Sequence, residues 1–293
     1  MTSAAAPWTD LGGGVLVRRS AAFQMNSVAL LDGRQALLVD PGVLPSELDD
    51  VARAVRETRP EKLTLFMTHA HWDHVLGRAW WPASPVIAHD RFAAAVAKHR
   101  DHILGQAREW SEKLGERWER GFEPFRPETE VAGLHFMKLE PWLLVFRDAL
   151  GHHDTQLSLH LPDRRILIAA DMLSDVEGPI LNRPAAIYRR TLAALLPLAE
   201  HGAIETLIPG HGSVALGRDA VLERLRRDLG YLDQLEDGVR AARREGLDLE
   251  DAQSRLAGIA GDSSDAEARA NHLANVEIEY CALGTQPAAR RNR

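Results

Sequence analysis

Residues 68–74, with the sequence Thr-His-Ala-His-Trp-Asp-His, constrain this chain more than any other segment. They place three imidazoles and one carboxylate close together, directly after an apolar run that is typical of a buried strand. Neutral imidazole and carboxylate are ligands that suit zinc, iron or manganese ions. His69 and His71 are two residues apart, so in an extended turn both point to the same side. Asp73 and His74 are adjacent and diverge, which predicts a second ion beside the first.

The same pattern, a short apolar run followed by a histidine or an aspartate, recurs three times later in the chain. The residues at these three strand ends are His152 with His153, Asp171, and His211. Strand ends that meet at one edge of a sheet assemble a site from residues that are distant in sequence. Gly151 and Gly210 precede two of these histidines, and glycine permits the close backbone approach that an ion site needs.

These motifs resemble those of the metallo-β-lactamase-fold hydrolase superfamily, and the match covers residues 12–215. The motifs are His69-x-His71-x-Asp73-His74, Gly151-His152, Asp171 and Pro209-Gly210-His211-Gly212, preceded by Val39-Asp40-Pro41-Gly42 on an early strand. The resemblance is to members with a bridging aspartate, such as glyoxalase II and the lactonases. It implies a cofactor of two divalent metal ions, with zinc as the first choice and iron or manganese as alternatives.

The resemblance also implies a role for each candidate ligand. His69, His71 and His152 would hold one ion, Asp73, His74 and His211 would hold the second, and Asp171 would bridge the two. Ala170 stands where the family often has glycine. His153 stands where the family usually has a smaller residue, which makes it a rival to His152; we favour His152 because it directly follows Gly151. His272 is a further candidate, since a terminal helix could fold back over the pocket.

Hydrophobic periodicity predicts an α/β fold. Short apolar runs alternate with amphipathic segments, which favours an αββα sandwich of two packed mixed sheets with helices on both outer faces. Residues 1–216 are interpreted as the metal-binding domain, with a helical insert at residues 90–120, and residues 217–293 as a helical C-terminal extension. Ser46 is predicted to cap the first helix. Residues 261–264 are predicted to form a loop that breaks the extension.

Composition limits the partners and the location that we expect. A formal net charge of −7 argues against a general nucleic-acid-binding protein. Cys281 is the single cysteine, which excludes an internal disulfide and fits a reducing compartment. Residues 1–14 lack the basic and apolar regions of a signal peptide, and no apolar run is long enough to span a bilayer. We therefore expect a cytoplasmic protein with a small-molecule substrate, no nucleic-acid or membrane partner, and a homodimer as one option for its oligomeric state.

The ligand set implied by the resemblance predicts a metal-dependent hydrolase. Two adjacent ions would share a hydroxide, and Asp73 would act as a catalytic residue that orients this hydroxide and takes its proton. Trp110, Trp118 and Phe122 would line a pocket for an acyl group together with Trp72, although the same aromatic side chains would also suit the core. The expected substrate is therefore a carboxylic ester, a thioester or a lactone.

Several alternatives stay open at the level of sequence. A phosphodiesterase or nuclease of the same fold would call for arginine and lysine clusters around the phosphates. A di-iron redox protein of this fold replaces one early histidine with glutamate, whereas this chain has His71. A binding module with a decayed site would lack some of the seven ligands, all of which are present here. The ester class stays open too, because the glutathione-binding segment of glyoxalase II has no counterpart and Ser174 replaces a tyrosine of the lactonases.

Overall fold

The structure is a computed structural model that describes residues 8–260 and 265–284. Within these residues the chain forms two packed mixed sheets with helices on both outer faces, which confirms the predicted fold class. The loop predicted at residues 261–264 lies outside the described residues.

The first sheet has seven strands that follow one another in chain order. They are β1 (Thr9–Asp10), β2 (Val15–Arg19), β3 (Asn26–Leu31), β4 (Gln35–Val39), β5 (Lys62–Phe66), β6 (Val86–His89) and β7 (Thr129–Val131). The pairs from β1 to β4 are antiparallel, and the pairs from β4 to β7 are parallel. The carboxyl ends of β4 and β5 therefore lie at the same edge of the sheet, where the histidine-rich segment begins.

The second sheet has six strands. They are β8 (Leu134–Leu139), β9 (Trp142–Asp148), β10 (Leu157–Leu161), β11 (Ile166–Ala170), β12 (Thr206–Pro209) and β13 (Ala215–Leu216). Their order across the sheet is β13-β12-β11-β10-β9-β8, and only β11 and β12 pair in parallel. Ala170 and Pro209 are partners at the carboxyl ends of this parallel pair. The residues that follow them are therefore brought side by side.

Helices cover both outer faces of the sandwich. The helices on the first sheet are α1 (Pro45–Thr58), α2 (Trp72–Val75), α3 (Phe92–Lys98) and α4 (Arg100–Lys113). Those on the second sheet are α5 (Ala185–Glu200), α6 (Arg218–Arg244), α7 (Leu249–Leu256) and α8 (Ala266–Gly284). Among the described residues, none of these helices is both long and apolar enough to cross a membrane.

Three apolar clusters hold the layers together. One lies between the two sheets, where the rings of Phe66 and Phe146 meet edge to face with centroids 5.0 Å apart. The other two lie between each sheet and its helices. Leu192 of α5, Leu225 of α6 and Val276 of α8 belong to the same cluster as strand β11. The C-terminal extension thus packs directly on the domain, and a domain boundary after residue 216 stays a prediction.

Two local predictions were wrong, one of them only in part. Ser46 does not cap α1, because Leu44 holds the cap position and Pro45 begins the helix, where its missing N–H has no cost. Glu47 instead accepts hydrogen bonds from the backbone N–H groups of Val43 and Leu44. The insert is helical as predicted over Phe92–Lys98 and Arg100–Lys113, but the helical part does not extend to residue 120, because α4 ends at Lys113 and irregular backbone follows.

Candidate metal centre

The candidate ligands lie on loops and on one short helix that follow strand ends at one edge of the sandwich. His69 and His71 follow β5, and Asp73 with His74 lies on α2. His152 follows β9, Asp171 follows β11, and His211 follows β12. The structure brings all seven predicted residues together, in two sets whose ligand atoms lie within 4.8 Å of one another. Their role as metal ligands stays a prediction at this point.

The first group consists of His69, His71 and His152. The Nδ1 atom of His71 lies 3.0 Å from Nε2 of His69 and 3.1 Å from Nε2 of His152. Oδ2 of Asp171 lies 3.4 Å from Nε2 of His69 and 3.2 Å from Nε2 of His152. Three imidazole nitrogens and one carboxylate oxygen therefore face a common point, a donor set that suits a zinc-like ion.

The second group consists of Asp73, His74 and His211. The Oδ2 atom of Asp73 lies 3.6 Å from Nε2 of His74 and 3.5 Å from Nε2 of His211. Oδ1 of Asp171 lies 3.2 Å and 3.4 Å from the same two nitrogens. Asp171 therefore turns one oxygen to each group, which is the arrangement that a bridging carboxylate requires.

Buried polar atoms without partners indicate that the site fits cations. Within the described residues, Nε2 of His74 and Oδ1 of Asp171 are buried and have no hydrogen-bond partner. Burying such atoms unpaired costs free energy, and a bound ion would satisfy both. A side chain at Gly210 would fill this space, since an added Cβ would lie 2.0 Å from Oδ1 of Asp171. Glycine at this position keeps the bridging carboxylate accessible.

The buried carboxylate of Asp40 anchors histidines of both groups. Its Oδ2 atom accepts a hydrogen bond from Nδ1 of His74 at 2.8 Å and one from the Thr68 hydroxyl at 2.6 Å. The Thr68 oxygen lies 3.0 Å from Nδ1 of His69, so it accepts from that ring while it donates to Asp40. Such outer contacts fix the tautomer and the orientation of ligand imidazoles. Asp40 follows an apolar strand as the ligands do, and this pattern could have revealed its role from sequence.

Backbone carbonyls orient two further histidines. Nδ1 of His211 donates to the carbonyl of Phe23 at 3.0 Å, and Nδ1 of His152 donates to the carbonyl of Ile180 at 3.1 Å. The Ile180 segment is itself held by Asn275 of α8. The Asn275 side chain accepts from N–H of Leu181 at 2.9 Å and donates to the carbonyl of Pro179 at 2.7 Å. The C-terminal extension thus positions a residue of the first group, which no sequence pattern indicates.

The two groups differ in their protonation. Burial lowers the pKa values of His69 and His71 well below the ordinary value. Burial opposes charge on His74 as well, but the Asp171 and Asp73 carboxylates outweigh it and raise the pKa of His74 well above the ordinary value. Against the same effect of burial, Asp171 raises the pKa of His211 to about 10.

The rival histidines lie outside both groups. Nδ1 of His153 bonds Thr155 Oγ1 at 2.8 Å, and burial lowers the pKa of His153 to about 4. His272 lies on α8, and its Nε2 atom donates to the carbonyl of Leu256, the last residue of α7, at 2.8 Å. Its ring also meets the hydroxyl of Tyr231 at 2.9 Å. The ring of His153 does lie next to those of His71 and His69, with centroids 4.6 Å and 5.6 Å away, but of the three candidates only His152 belongs to the set whose ligand atoms lie within 4.8 Å of one another.

Only part of the predicted aromatic wall lies near the site. Trp118 and Phe122 are buried in the core of the first sheet, where they cannot contact a substrate at the metal centre. Phe23, whose carbonyl meets His211, packs against Trp72 and Trp110 with ring centroids 6.0 Å and 4.1 Å away. Phe23 thus contacts a candidate ligand through its backbone while its ring packs on the two tryptophans, and the Tyr188 hydroxyl approaches the carbonyl of Asp171 at 3.4 Å.

A cavity of about 390 Å³, here called the mouth cavity, is connected to the second group through Phe23, which lines the cavity and whose carbonyl accepts from His211. Its walls include Phe23, Glu177 and, on α8, Glu267 and Asn271. Burial raises the pKa of Glu177, and the nearby imidazole of His211 acts to lower it, which places this carboxylate close to the candidate ligands. None of the described residues that line the mouth cavity is a lysine or an arginine. Glu177 has no role in the sequence-based prediction, and no pattern in the sequence indicates one.

Comparison with known proteins gives one family match. The profile of a family described as the metallo-beta-lactamase superfamily matches residues 21–213. A comparison with curated proteins finds no match.

Solved structures with the same fold are distant in sequence. A sec-alkylsulfatase from Pseudomonas sp. superposes with a TM-score of 0.68 at 16% identity, over 98% of this chain and 52% of its own. The present chain thus spans about half the length of that protein. A metallo-beta-lactamase family protein from Thermus thermophilus gives a TM-score of 0.65 at 17% identity, over 94% of this chain and 95% of its own. A beta-lactamase domain protein from Burkholderia ambifaria gives 0.65 at 17% identity, over 96% and 88% of the two chains.

Proposed function

This chain belongs to the metallo-beta-lactamase superfamily of metal-dependent hydrolases, and from that premise we propose that it cleaves an ester-like bond at a dinuclear metal site. The proposed substrates are carboxylic esters, thioesters or lactones of small molecules. The proposed ligands of one ion are His69, His71 and His152, those of the other are Asp73, His74 and His211, and Asp171 is the proposed bridge. Zinc is the proposed metal because nitrogen and oxygen donors of this kind suit it, with iron or manganese as alternatives.

Two divalent ions bound in this way would lower the pKa of a water molecule and polarise a substrate carbonyl. The side chains of the chain supply the remaining steps. Oδ2 of Asp73 faces Nε2 of His74 and of His211 as a ligand atom would, which leaves the other carboxylate oxygen to orient the attacking water and accept its proton when the tetrahedral adduct collapses. The ring of Phe23, braced by Trp72 and Trp110, offers apolar surface beside the reacting carbonyl.

The proposed substrate class is based on the charge of the mouth cavity. Its described walls contain acidic side chains, among them Glu177 and Glu267, and neither lysine nor arginine. A phosphodiester or a sulfate ester carries negative charge, which such walls repel. The described walls also offer none of the arginine contacts that usually bind these anions. A neutral carbonyl ester meets no such repulsion. The acidic walls therefore favour carbonyl esters over the phosphodiesterase or nuclease alternative, and over sulfate esters of the kind named for the Pseudomonas relative.

A substrate panel tests this proposal. Protein loaded with zinc would be offered p-nitrophenyl carboxylic esters, acyl thioesters, lactones, bis-p-nitrophenyl phosphate and a secondary alkyl sulfate. We expect kcat/KM for at least one carbonyl substrate to exceed the values for both anionic esters by roughly tenfold or more. Chelation of the metal should abolish turnover, and readdition should restore it. Faster cleavage of the phosphodiester or of the sulfate would overturn the choice of substrate.

A further inference from the structure

A second cavity, here called the helix cavity, lies between α6, α8 and the loop at residues 177–180. Its volume is about 290 Å³, close to the lower end of the range of roughly 300–1,000 Å³ found for small-molecule pockets. Pro179, Ile180 and Ile259 give it apolar walls, and Tyr231 and Asn271 add polar groups. Arg227 and Asp228 line it too, but their charges offset each other because the two side chains form an ion pair. The cavity is therefore suited to a compact group that is mostly apolar.

The helix cavity adjoins the mouth cavity. Glu177, Ala268 and Asn271 line both, so these three residues form the border between the metal centre and the space among the helices. The loop that forms one wall also holds the metal centre, since Ile180 lines the helix cavity while its carbonyl accepts from His152. A substrate whose reacting bond lies at the metals can thus extend past this border.

Glu177 is an unusual residue for such a border. Its side chain is partly buried, yet within residues 8–260 and 265–284 it takes part in no hydrogen bond or ion pair. Its neighbours His211 and Asp171 act on it only through their charges. Because the side chain keeps some exposure, water can solvate the carboxylate in the free protein. A ligand that fills the border displaces this water, so it must bring a donor or a positive charge to avoid a loss of free energy.

We propose that the helix cavity binds the part of the substrate that is not attacked, and that Glu177 selects substrates whose apolar group carries a hydrogen-bond donor or a cation near the border. This proposal rests on the proposed function, and it narrows the substrate class to neutral or cationic esters with a compact apolar group. Ala268 contributes to specificity by its small size, because a larger side chain there would close the passage between the two cavities. Anionic groups are disfavoured, since they would meet the Glu177 carboxylate.

Binding of two probes of equal length tests the proposal without any turnover. Hexylammonium and hexan-1-ol share an apolar chain but differ in charge, and their affinities for the zinc-loaded protein can be measured by calorimetry near neutral pH. Both probes can donate a hydrogen bond to Glu177, but only hexylammonium adds a positive charge, so we expect it to bind roughly tenfold more tightly than hexan-1-ol. Glu177→Gln keeps the shape of the side chain and should abolish this preference.

The matched variants Ala268→Leu and Ala270→Leu test the passage. Both residues lie on α8, but Ala270 is exposed and lines neither cavity. Ala268→Leu should weaken the binding of both probes roughly tenfold or more, and Ala270→Leu should leave it unchanged. Thermal melting of each variant would show that it is folded. The proposal is overturned if Glu177→Gln retains the preference for the cation, or if Ala268→Leu binds both probes as the original protein does.

Failure of this proposal and failure of the proposed function give different results. If the protein cleaves no carbonyl ester but binds the probes as expected, the proposed function fails and the cavity assignment stands. If it cleaves carbonyl esters while Ala268→Leu changes neither KM nor probe binding, the cavity assignment fails and the proposed function stands.

Discussion

The two groups of candidate ligands occupy one edge of the sandwich but differ in what surrounds their imidazoles. In the first group burial prevails, and the pKa values of His69 and His71 lie well below the ordinary value. In the second group carboxylates prevail over burial, and the pKa values of His74 and His211 are raised. The same fold thus favours the neutral forms of His69 and His71 and the protonated forms of His74 and His211, whose protons a bound metal cation would displace. The number of nearby carboxylates decides which behaviour results.

The largest expected effect comes from removing the side chain that both groups share. Asp171→Ala should lower the metal content from about two ions per chain toward one, and reduce activity by more than roughly a hundredfold, because each group loses one oxygen donor. Elemental analysis and kcat/KM measure the two outcomes. Asp154→Ala is the matched control, since Asp154 is a partly exposed acid near the site that bonds Arg183. A single ion or none in the intact protein, with full activity, would contradict a two-metal centre.

The difference in protonation predicts a difference in pH dependence. Because the pKa of His211 is raised to about 10 and that of His74 is raised too, metal binding to the second group must release protons at neutral pH. Its affinity should therefore rise with pH, about tenfold per pH unit for each proton released. Burial favours the neutral forms of His69 and His71, so these two imidazoles should release no protons on binding a metal at neutral pH, and the affinity of the first group should change less with pH.

Variants that retain one group each make this comparison measurable. His71→Ala leaves the second group intact, and His211→Ala leaves the first. Calorimetric titration with zinc in buffers of different ionisation enthalpy counts the protons released by each variant. Equal proton release from the two variants would show that the groups do not differ in the way that their surroundings imply.

Much of this centre could be predicted from sequence because its residues share a local pattern. Each candidate ligand follows an apolar strand, and parallel pairing of β11 with β12 brings Asp171 and His211 together as strand periodicity implies. The fold class follows from the same periodicity. Ser46 was misassigned as a cap because Pro45 at the first helical position outweighs a serine one residue later.

The residues that the sequence does not indicate act through tertiary contacts. Asn275 is far from the ligands in sequence. It acts on His152 only through the loop at residues 177–180, on which α8 packs. Trp118 and Phe122 are aromatic residues of the kind that often lines a pocket. Only the packing of the segment after α4 shows that they are core residues. Burial and long-range hydrogen bonds have no local signature in the chain, so no pattern of residue types could have revealed them.

A smaller effect is expected from a substitution of Asp40, which contacts the second group more directly than the first. Asp40 bonds His74 directly and reaches His69 only through Thr68. Asp40→Asn should therefore weaken metal binding by roughly 10–100-fold at the second group and less at the first, because the carboxylate that orients the imidazole is lost. Competition with a chelator measures both affinities. Asp101→Asn is the control, as its side chain is 93% exposed, and a larger loss at the first group would refute the direct role of Asp40.

The smallest expected effect comes from a substitution of Asn275, and it should change metal binding at one group only. The Asn275 side chain forms hydrogen bonds with the backbone of Pro179 and of Leu181, the residues on either side of Ile180. The Ile180 carbonyl orients His152, which belongs to the first group only. Asn275→Ala should therefore weaken metal binding at the first group by roughly tenfold, the lower end of the range for residues that orient ligands. The second group, whose His211 is oriented by the carbonyl of Phe23, should bind as before.

The control for this variant is Asn271→Ala, one turn earlier on α8, which removes a similar side chain that faces the helix cavity. It should leave both metal affinities unchanged. Asn275→Ala also removes buried hydrogen bonds, so thermal melting should show a loss of stability, and this loss alone would occur if the residue were merely structural. A chelator titration in which both groups weaken equally, or in which neither changes, would show that α8 has no specific influence on His152 and that the first group is positioned by the sheet alone.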